Sequence, residues 1–223
     1  MNGRDFTANL TRHLPLYLVT DTAQCRPRTV AAVAAEAVSG GATMVQVRDK
    51  EASARDLLHI LVTVADAVGS KVPVLVDDRV DLFLAARAAG AQVAGVHVGQ
   101  SDLPADLVRA LVGPETIVGL SAATSNEIQA AHGLPKGTVD YLGVGAIHAT
   151  ATKPDHPEPL GISGFGALVT ESSLPCVAIG GISNADLRPL RDSGAAGVAV
   201  VSAVCAADDP EAAAKALKEA WCS

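Results

Sequence analysis

The residues best suited to chemistry in this chain are polar side chains set into otherwise apolar runs. In Val45-Gln-Val-Arg-Asp-Lys50 the donors Gln46, Arg48 and Lys50 alternate, and alternate residues of a strand share a side. Three donors in a row suit a small anion with several acceptor oxygens, although a surface ion pair is the plainer use of Arg48. Asp77 and Asp78 close the run that begins Val72-Pro-Val-Leu-Val, and Asp102 follows Gly99-Gln-Ser. Such carboxylates can converge on a hard cation that keeps its waters and takes phosphate oxygens as further ligands, a set that suits magnesium. Each also precedes a helical segment, at Val80 or at Pro104, so helix capping is an equal use for them.

A second group of polar residues lies further along. Gly145-Ala-Ile-His-Ala-Thr-Ala-Thr-Lys153, followed by three prolines within six residues, reads as a long irregular loop, and long loops in compact domains are usually lids or binding loops. Thr150, Thr152 and Lys153 could grip a phosphate there, or simply be solvated. His148 is a tempting general base, but without a placed partner it carries no assignment. Gly180-Gly181 and Val201-Ser202 each end an apolar run. Adjacent glycines let a phosphate approach backbone amides closely.

These residues need a scaffold that brings separate strand ends together. Short apolar runs alternate with longer alanine-rich segments of helical period. The runs predict strands over Leu16–Thr20, Thr43–Arg48, Val72–Asp77, Gly95–Val98, Thr116–Leu120, Tyr141–Ala146, Cys176–Ile179 and Gly197–Val201. Helices are expected over Arg28–Ser39, Ser53–Val68, Val80–Ala89, Pro104–Leu111, Ser125–His132, Ile162–Glu171, Asn184–Asp192 and Pro210–Ala220, with Ser53 and Ser125 as N-caps. Parallel strands re-entered through right-handed crossovers follow from this alternation. Eight units in 223 residues predict a single-domain (β/α)8 TIM barrel over 1–223, with 1–13 as an N-terminal extension. An open doubly wound sheet is the rival, but Thr20-Asp-Thr-Ala-Gln stands where its glycine-rich loop would be. In a barrel the polar residues above share the C-terminal face, where such enzymes carry their active sites.

Composition narrows the partners. The chain carries formal charge −7, 49% hydrophobic and 3% aromatic residues, and four cysteines without metal-ligand or C-x-x-C spacing. That excludes a disordered tail, a collagen-like fibre and a disulfide scaffold. It argues against nucleic acid or an anionic membrane as partner, both of which need clustered Lys and Arg. No apolar stretch reaches the ~20 residues of a membrane span, and residues 1–10 do not read as a signal peptide. A cytoplasmic protein acting on small molecules is expected, and a homo-oligomer is compatible with the sequence.

Taken together, the segments Val45–Lys50, Val76-Asp-Asp-Arg-Val-Asp-Leu82, Gly95-Val-His-Val-Gly-Gln-Ser-Asp-Leu-Pro104, Tyr141–Lys153 and Val177-Ala-Ile-Gly-Gly-Ile182 resemble the thiamine phosphate synthase family. The resemblance spans nearly the whole chain. It implies a barrel enzyme, a transferase that joins 4-amino-2-methyl-5-hydroxymethylpyrimidine diphosphate to a thiazole phosphate and releases diphosphate, with Mg2+ as cofactor. Carried over by position, Gln46, Arg48 and Lys50 match residues around the pyrimidine and its diphosphate, Asp78 and Asp102 match magnesium ligands, and Ser121 matches a serine near the leaving group. Thr150, Thr152 and Lys153 match a phosphate-gripping loop, and Gly181, Val201 and Ser202 match the thiazole-phosphate site. Arg48, Lys50, Ser121 and Lys153 would then serve catalysis.

The chain departs from the family pattern at two site positions. Asp77 stands where Asn is common, so it either adds charge beside the metal or replaces an amide contact to the pyrimidine. Ser121-Ala-Ala123 lacks the histidine often found two residues after the serine. Other functions for such a barrel are a thiazole tautomerase, a Schiff-base aldolase using Lys50 or Lys153, and a phosphate-binding barrel without turnover. The cations and carboxylates together favour the synthase, because a tautomerase has no leaving diphosphate to neutralise.

Overall fold

A computed structural model describes residues 4–149 and 158–223 of the protein. Eight parallel strands, β1 (Leu16–Val19), β2 (Met44–Val47), β3 (Val74–Asp77), β4 (Gly95–Val98), β5 (Ile117–Ala122), β6 (Tyr141–Gly145), β7 (Cys176–Ile179) and β8 (Gly197–Val200), close into a barrel in sequence order. The circle is completed by the pairing of Leu16, Tyr17 and Leu18 with Val198, Ala199 and Val200. Helices α1 (Arg4–Ala8), α2 (Thr22–Cys25), α3 (Val30–Gly40), α4 (Ala54–Val68), α5 (Val80–Ala88), α6 (Ala105–Val112), α7 (Ser125–His132), α8 (Gly161–Glu171), α9 (Leu187–Asp192), α10 (Ser202–Cys205) and α11 (Pro210–Cys222) accompany them.

The strands are short and mostly apolar because both faces are covered, the usual condition of a parallel sheet, and their few polar residues, Gln46, Asp77, His97 and Ser121, point inward toward the barrel mouth. Alternate residues serve two cores. Leu16, Leu18, Val45, Val47, Val74 and Val76 face outward into the layer shared with Leu57, Leu61 and Phe83 of the helices. Tyr17, Val19, Met44, Leu75, Ile117, Tyr141, Val177 and Ala199 fill the barrel interior. Phe6, Leu10 and Leu14 join this inner cluster. Leu14 stands two residues before β1, so the N-terminal residues seal the end of the barrel opposite the strand C-termini.

The element boundaries differ from the sequence reading in instructive places. Strand β5 runs on to Ala122, so Ser121 lies within the strand, on the inner side that it shares with Gly119 and Ile117. The cap of α7 is Thr124 and not Ser125: its side chain accepts from Glu127 N while the Glu127 carboxylate accepts from the Thr124 N–H. A reciprocal capping box satisfies two helix-end donors at once, which Ser125 could not do alone. The segment 184–192 splits into a 3-10 turn, Asn184–Asp186, followed by α9. The one-turn helices α2 and α10, four residues each, are too short to leave a periodic signal.

Candidate active site

The predicted anion and cation residues meet at the C-terminal rim of β2, β3 and β4. Gln46 lies inside the barrel and is almost fully buried, whereas Arg48 sits just past the end of β2. The backbone N–H of Arg48 donates to the hydroxyl of buried Thr20, which fixes where the arginine leaves the strand. Its guanidinium Nε stands 3.3 Å from Asp77 Oδ2, with both side chains only 14% exposed. Arg48 is thus neither a surface ion pair nor unengaged: Asp77 aims it across the rim from the neighbouring strand. Lys50 is exposed, two residues beyond, close enough for its charge to act on Asp78.

Neither Asp77, Asp78 nor Asp102 caps a helix. The N-cap positions of α5 and α6 are Arg79 and Pro104, neither with a side-chain capping bond. Asp78 instead adopts a left-handed backbone, φ 58°, with its N–H donating to His97 O at 2.8 Å. Left-handed non-glycine residues are uncommon, and Asp and Asn bear the conformation best. The turn leaves the Asp78 carboxyl partly buried, close enough to Asp77 and Asp102 for both charges to act on it. Asp102 is held in place by accepting from Gly99 N at 2.7 Å. Burial, followed by the charges of Asp77 and Asp102, pushes Asp78 up to about 7 against a weaker opposing pull from Lys50.

Two carboxylates forced together in a partly dry rim are a destabilising arrangement for the protein alone, and a divalent cation between them would relieve it. The donor set is oxygen-only and open. Among the described residues no three His, Cys, Asp or Glu side chains group into a closed metal cage. Two carboxylates with room for water and phosphate oxygens suit magnesium better than a transition metal.

A chain of hydrogen-bonded polar groups runs beneath this rim, through the barrel interior. Gln46 Nε2 donates to Tyr17 OH at 2.7 Å, Tyr17 OH lies 3.0 Å from Tyr141 OH, and Tyr141 OH lies 2.9 Å from His97 Nδ1. His97 Nε2 lies 3.0 Å from Ser121 Oγ. Burial pushes both tyrosine hydroxyls well above their ordinary range, so they stay protonated. Ser121 therefore does have an imidazole partner. The ring comes from β4 and not from two residues further along the chain, where Ala123 stands. Gln100 adds a second tie, donating from Nε2 to Ser121 O at 2.6 Å.

On the other side of the mouth, Gly180 and Gly181 follow β7 with φ of 103° and 65°. Both conformations are left-handed, and the space is closed as well. A Cβ on Gly181 would stand 2.8 Å from His148 Cβ and 3.2 Å from Ala149 O. The stem of the loop after β6 is stitched to this turn by Ile147 N to Ile179 O and His148 N to Gly180 O bonds. His148 Nε2 adds a 2.9 Å bond to Asp186 Oδ1, and Asp186 in turn accepts from the N–H and hydroxyl of Ser183. His148 is therefore a latch between loops, a use the sequence did not disclose. Val201 precedes α10 and Ser202 opens it, beside a cavity of about 350 Å3 whose lining includes Ser183, Asn184 and Ser202. Thr150, Thr152 and Lys153 lie outside the described residues.

Comparison with known proteins matches this arrangement to one family. The family model described as thiamine monophosphate synthase covers residues 16–204. The chain belongs to the thiamine monophosphate synthase family. It is 42% identical over 204 residues to a thiamine-phosphate synthase of Psychrobacter sp. (strain PRwf-1), covering 92% of this chain and 93% of that one. A thiamine-phosphate synthase of Chloroflexus aurantiacus is 45% identical over 205 residues, 91% of this chain and 90% of its own. Among solved structures, thiamine phosphate pyrophosphorylase from Pyrococcus furiosus superposes with a TM-score of 0.82 at 32% identity, over 95% of this chain and 97% of that one. A tryptophan synthase alpha subunit from Legionella pneumophila, at 15% identity and a TM-score of 0.68, shares the barrel alone.

Sequence reasoning missed Tyr17, Tyr141, His97 and Asp186. The signal for the first three was available. The chain has only two tyrosines, both inside predicted strands, and Gly95-Val-His97-Val sets one polar residue on the inner side of an apolar run. Asp186 gave none, because its partner is 38 residues away.

Proposed function

We propose that this protein is a thiamine-phosphate synthase, condensing 4-amino-2-methyl-5-hydroxymethylpyrimidine diphosphate with thiazole phosphate to give thiamine phosphate and diphosphate. The observation that carries this reading is the pairing of Asp78 with Asp102 beside Arg48 and Lys50 at one rim of the barrel. A rim of that kind suits a leaving diphosphate. The carbon–oxygen bond of the pyrimidinylmethyl group breaks, its electron pair departs with diphosphate, and the thiazole nitrogen lone pair then forms the new carbon–nitrogen bond. The electron-rich aminopyrimidine disperses the positive charge in between.

Magnesium held by Asp78 and Asp102 would act as a Lewis acid that neutralises charge on the diphosphate oxygens. Arg48, aimed by Asp77, and Lys50 supply fixed positive charge to the same group, with Lys153 added from the loop after β6. Preorganised charge of this kind is usually the largest single contribution to such a reaction. Gln46 and Asp77 face the aminopyrimidine, and Ser121 lies at the scissile oxygen. Thr150, Thr152, Gly181, Val201 and Ser202 hold the thiazole phosphate so that its nitrogen attacks within one complex. No protein nucleophile is needed. The reaction is assigned to the cytoplasm and to residues 1–223 acting as one barrel domain. Among the described residues no helix is long and apolar enough to cross a membrane.

Incubation of the purified protein with both substrates and magnesium, followed by chromatographic detection of thiamine phosphate, tests the proposal. Product that depends on both substrates and is lost on chelation supports it. No product while a known synthase turns over in parallel rejects it.

A further inference from the structure

The hydrogen-bond chain inside the barrel has a direction that its burial dictates. Gln46 engages Tyr17 through its amide nitrogen, which can only donate, so the Tyr17 oxygen accepts there. Tyr17 is 2% exposed and has one hydrogen to give. If Tyr17 also accepted from Tyr141, that hydrogen would be buried without an acceptor, at substantial cost. It therefore goes to the Tyr141 oxygen. Tyr141 is wholly buried, and by the same reasoning its hydrogen goes to His97 Nδ1. An imidazole that accepts at Nδ1 carries its proton on Nε2 and donates from there. Ser121 Oγ, 3.0 Å away, receives that bond, and the serine's own hydrogen is turned away from the ring.

Packing holds the rings of this chain in place. A side chain at Gly119 would collide with His97 Nδ1 and with the Tyr141 hydroxyl, and one at Gly143 would press on His97 Cε1 at 3.0 Å. The His97 and Tyr141 rings lie 5.5 Å apart, tilted by 37°, and the two tyrosines pack edge to face. Two strands have thus given up their side chains where the imidazole and phenol pass.

We propose that Tyr17 and Tyr141 are positioning residues: they lock His97 in the Nε2–H tautomer, so that Ser121 presents its hydroxyl hydrogen to the barrel mouth as a donor. The benefit to diphosphate departure rests on the proposed synthase reaction, in which the oxygen of the breaking bond gains negative charge and accepts that hydrogen. A reversed chain would make Ser121 donate to His97 and present only lone pairs to the departing anion.

Two measurements test this. Nitrogen-15 NMR of histidine-labelled full-length protein without substrates reports the tautomer directly, the His97 signal being identified by its loss in His97→Gln. A protonated Nε2 and bare Nδ1 are expected; a protonated Nδ1 overturns the proposal, whatever the enzyme does. In kinetics, Tyr141→Phe keeps the ring and should lower kcat about tenfold while leaving KM little changed, as loss of an orienting partner commonly does. In a Ser121→Ala background the same change should alter kcat by less than about twofold, because the path runs through Ser121. An undiminished effect in that background rejects the path. Failure of the wild-type protein to form thiamine phosphate would count against the synthase reading alone, since the tautomer is read in the resting protein.

Discussion

The two sides of the barrel mouth meet anions by different physics. The β2–β4 side carries Arg48, Asp77, Asp78 and Asp102, charged groups held mostly out of water, with Lys50 at the edge and one carboxyl pushed up to about 7. The β7–β8 side carries Gly180, Gly181, Val201 and Ser202, with left-handed glycine backbone packed against the stem of the neighbouring loop. In the proposed reaction one anion leaves and the other stays. Side-chain charge and a cation gain strength as charge develops on the leaving diphosphate, so they lower the barrier. Backbone amides around the thiazole phosphate serve ground and transition states alike, so they contribute binding and not rate.

The largest effect should come from breaking the charged side. Asp102→Ala removes one of the two paired carboxylates, together with the acceptor of the Gly99 N–H. We expect kcat to fall by at least about 100-fold, as for loss of a main electrostatic group, with the circular dichroism spectrum retained. Steady-state rates across a magnesium titration check this. An unchanged rate and an unchanged magnesium midpoint would remove Asp102 from the site. The counterpart on the other side is Gly181→Ala, where the new methyl meets His148 Cβ at φ 65°. Here KM for thiazole phosphate should rise about tenfold, the worth of one good hydrogen bond to a phosphate, with kcat nearly constant. If the loss appears in kcat, the two sides do not divide rate from binding.

How much of this could be read beforehand follows from the range of each interaction. The barrel was legible because Leu16–Val19, Gly197–Val200 and their fellows are apolar on both faces, which only a covered parallel sheet tolerates. Arg48, Asp78 and Asp102 were legible as strand-end polar residues. Their pairing was not. Spacing alone could not decide between capping and convergence, and the decision lies in the left-handed turn at Asp78 and the bond from Gly99 N to Asp102. Asp77 as the partner of Arg48 requires β2 and β3 to be neighbours, a fact of register. The Tyr17–Tyr141 contact spans 124 residues and closes across the barrel, beyond any local pattern.

The smallest effect sharpens the comparison through stability. Asp78 has its folded value at about 7, against an ordinary value of 3.8, because burial and the charges of Asp77 and Asp102 disfavour ionisation. Between those two pH values the folded state keeps a proton that the unfolded chain releases. The stability tied to that proton is fully present below about pH 4 and is lost as pH rises through about 7. Asp78→Asn cannot ionise, is nearly isosteric, and bears the left-handed backbone equally well. A rise from 3.8 to about 7 is worth up to about 4 kcal/mol, of which solvent screening at this partly exposed carboxyl leaves about 1 kcal/mol, so in chelator at pH 8 the variant should melt roughly 2–4 °C above wild type. The gap should close on acidification to pH 4. Saturating magnesium should raise the wild type and leave the variant nearly unmoved, since only the intact pair gains binding energy in the folded state. A gap that persists at pH 4, or equal responses to magnesium, would mean that the Asp78 carboxyl is not what sets the charged side apart.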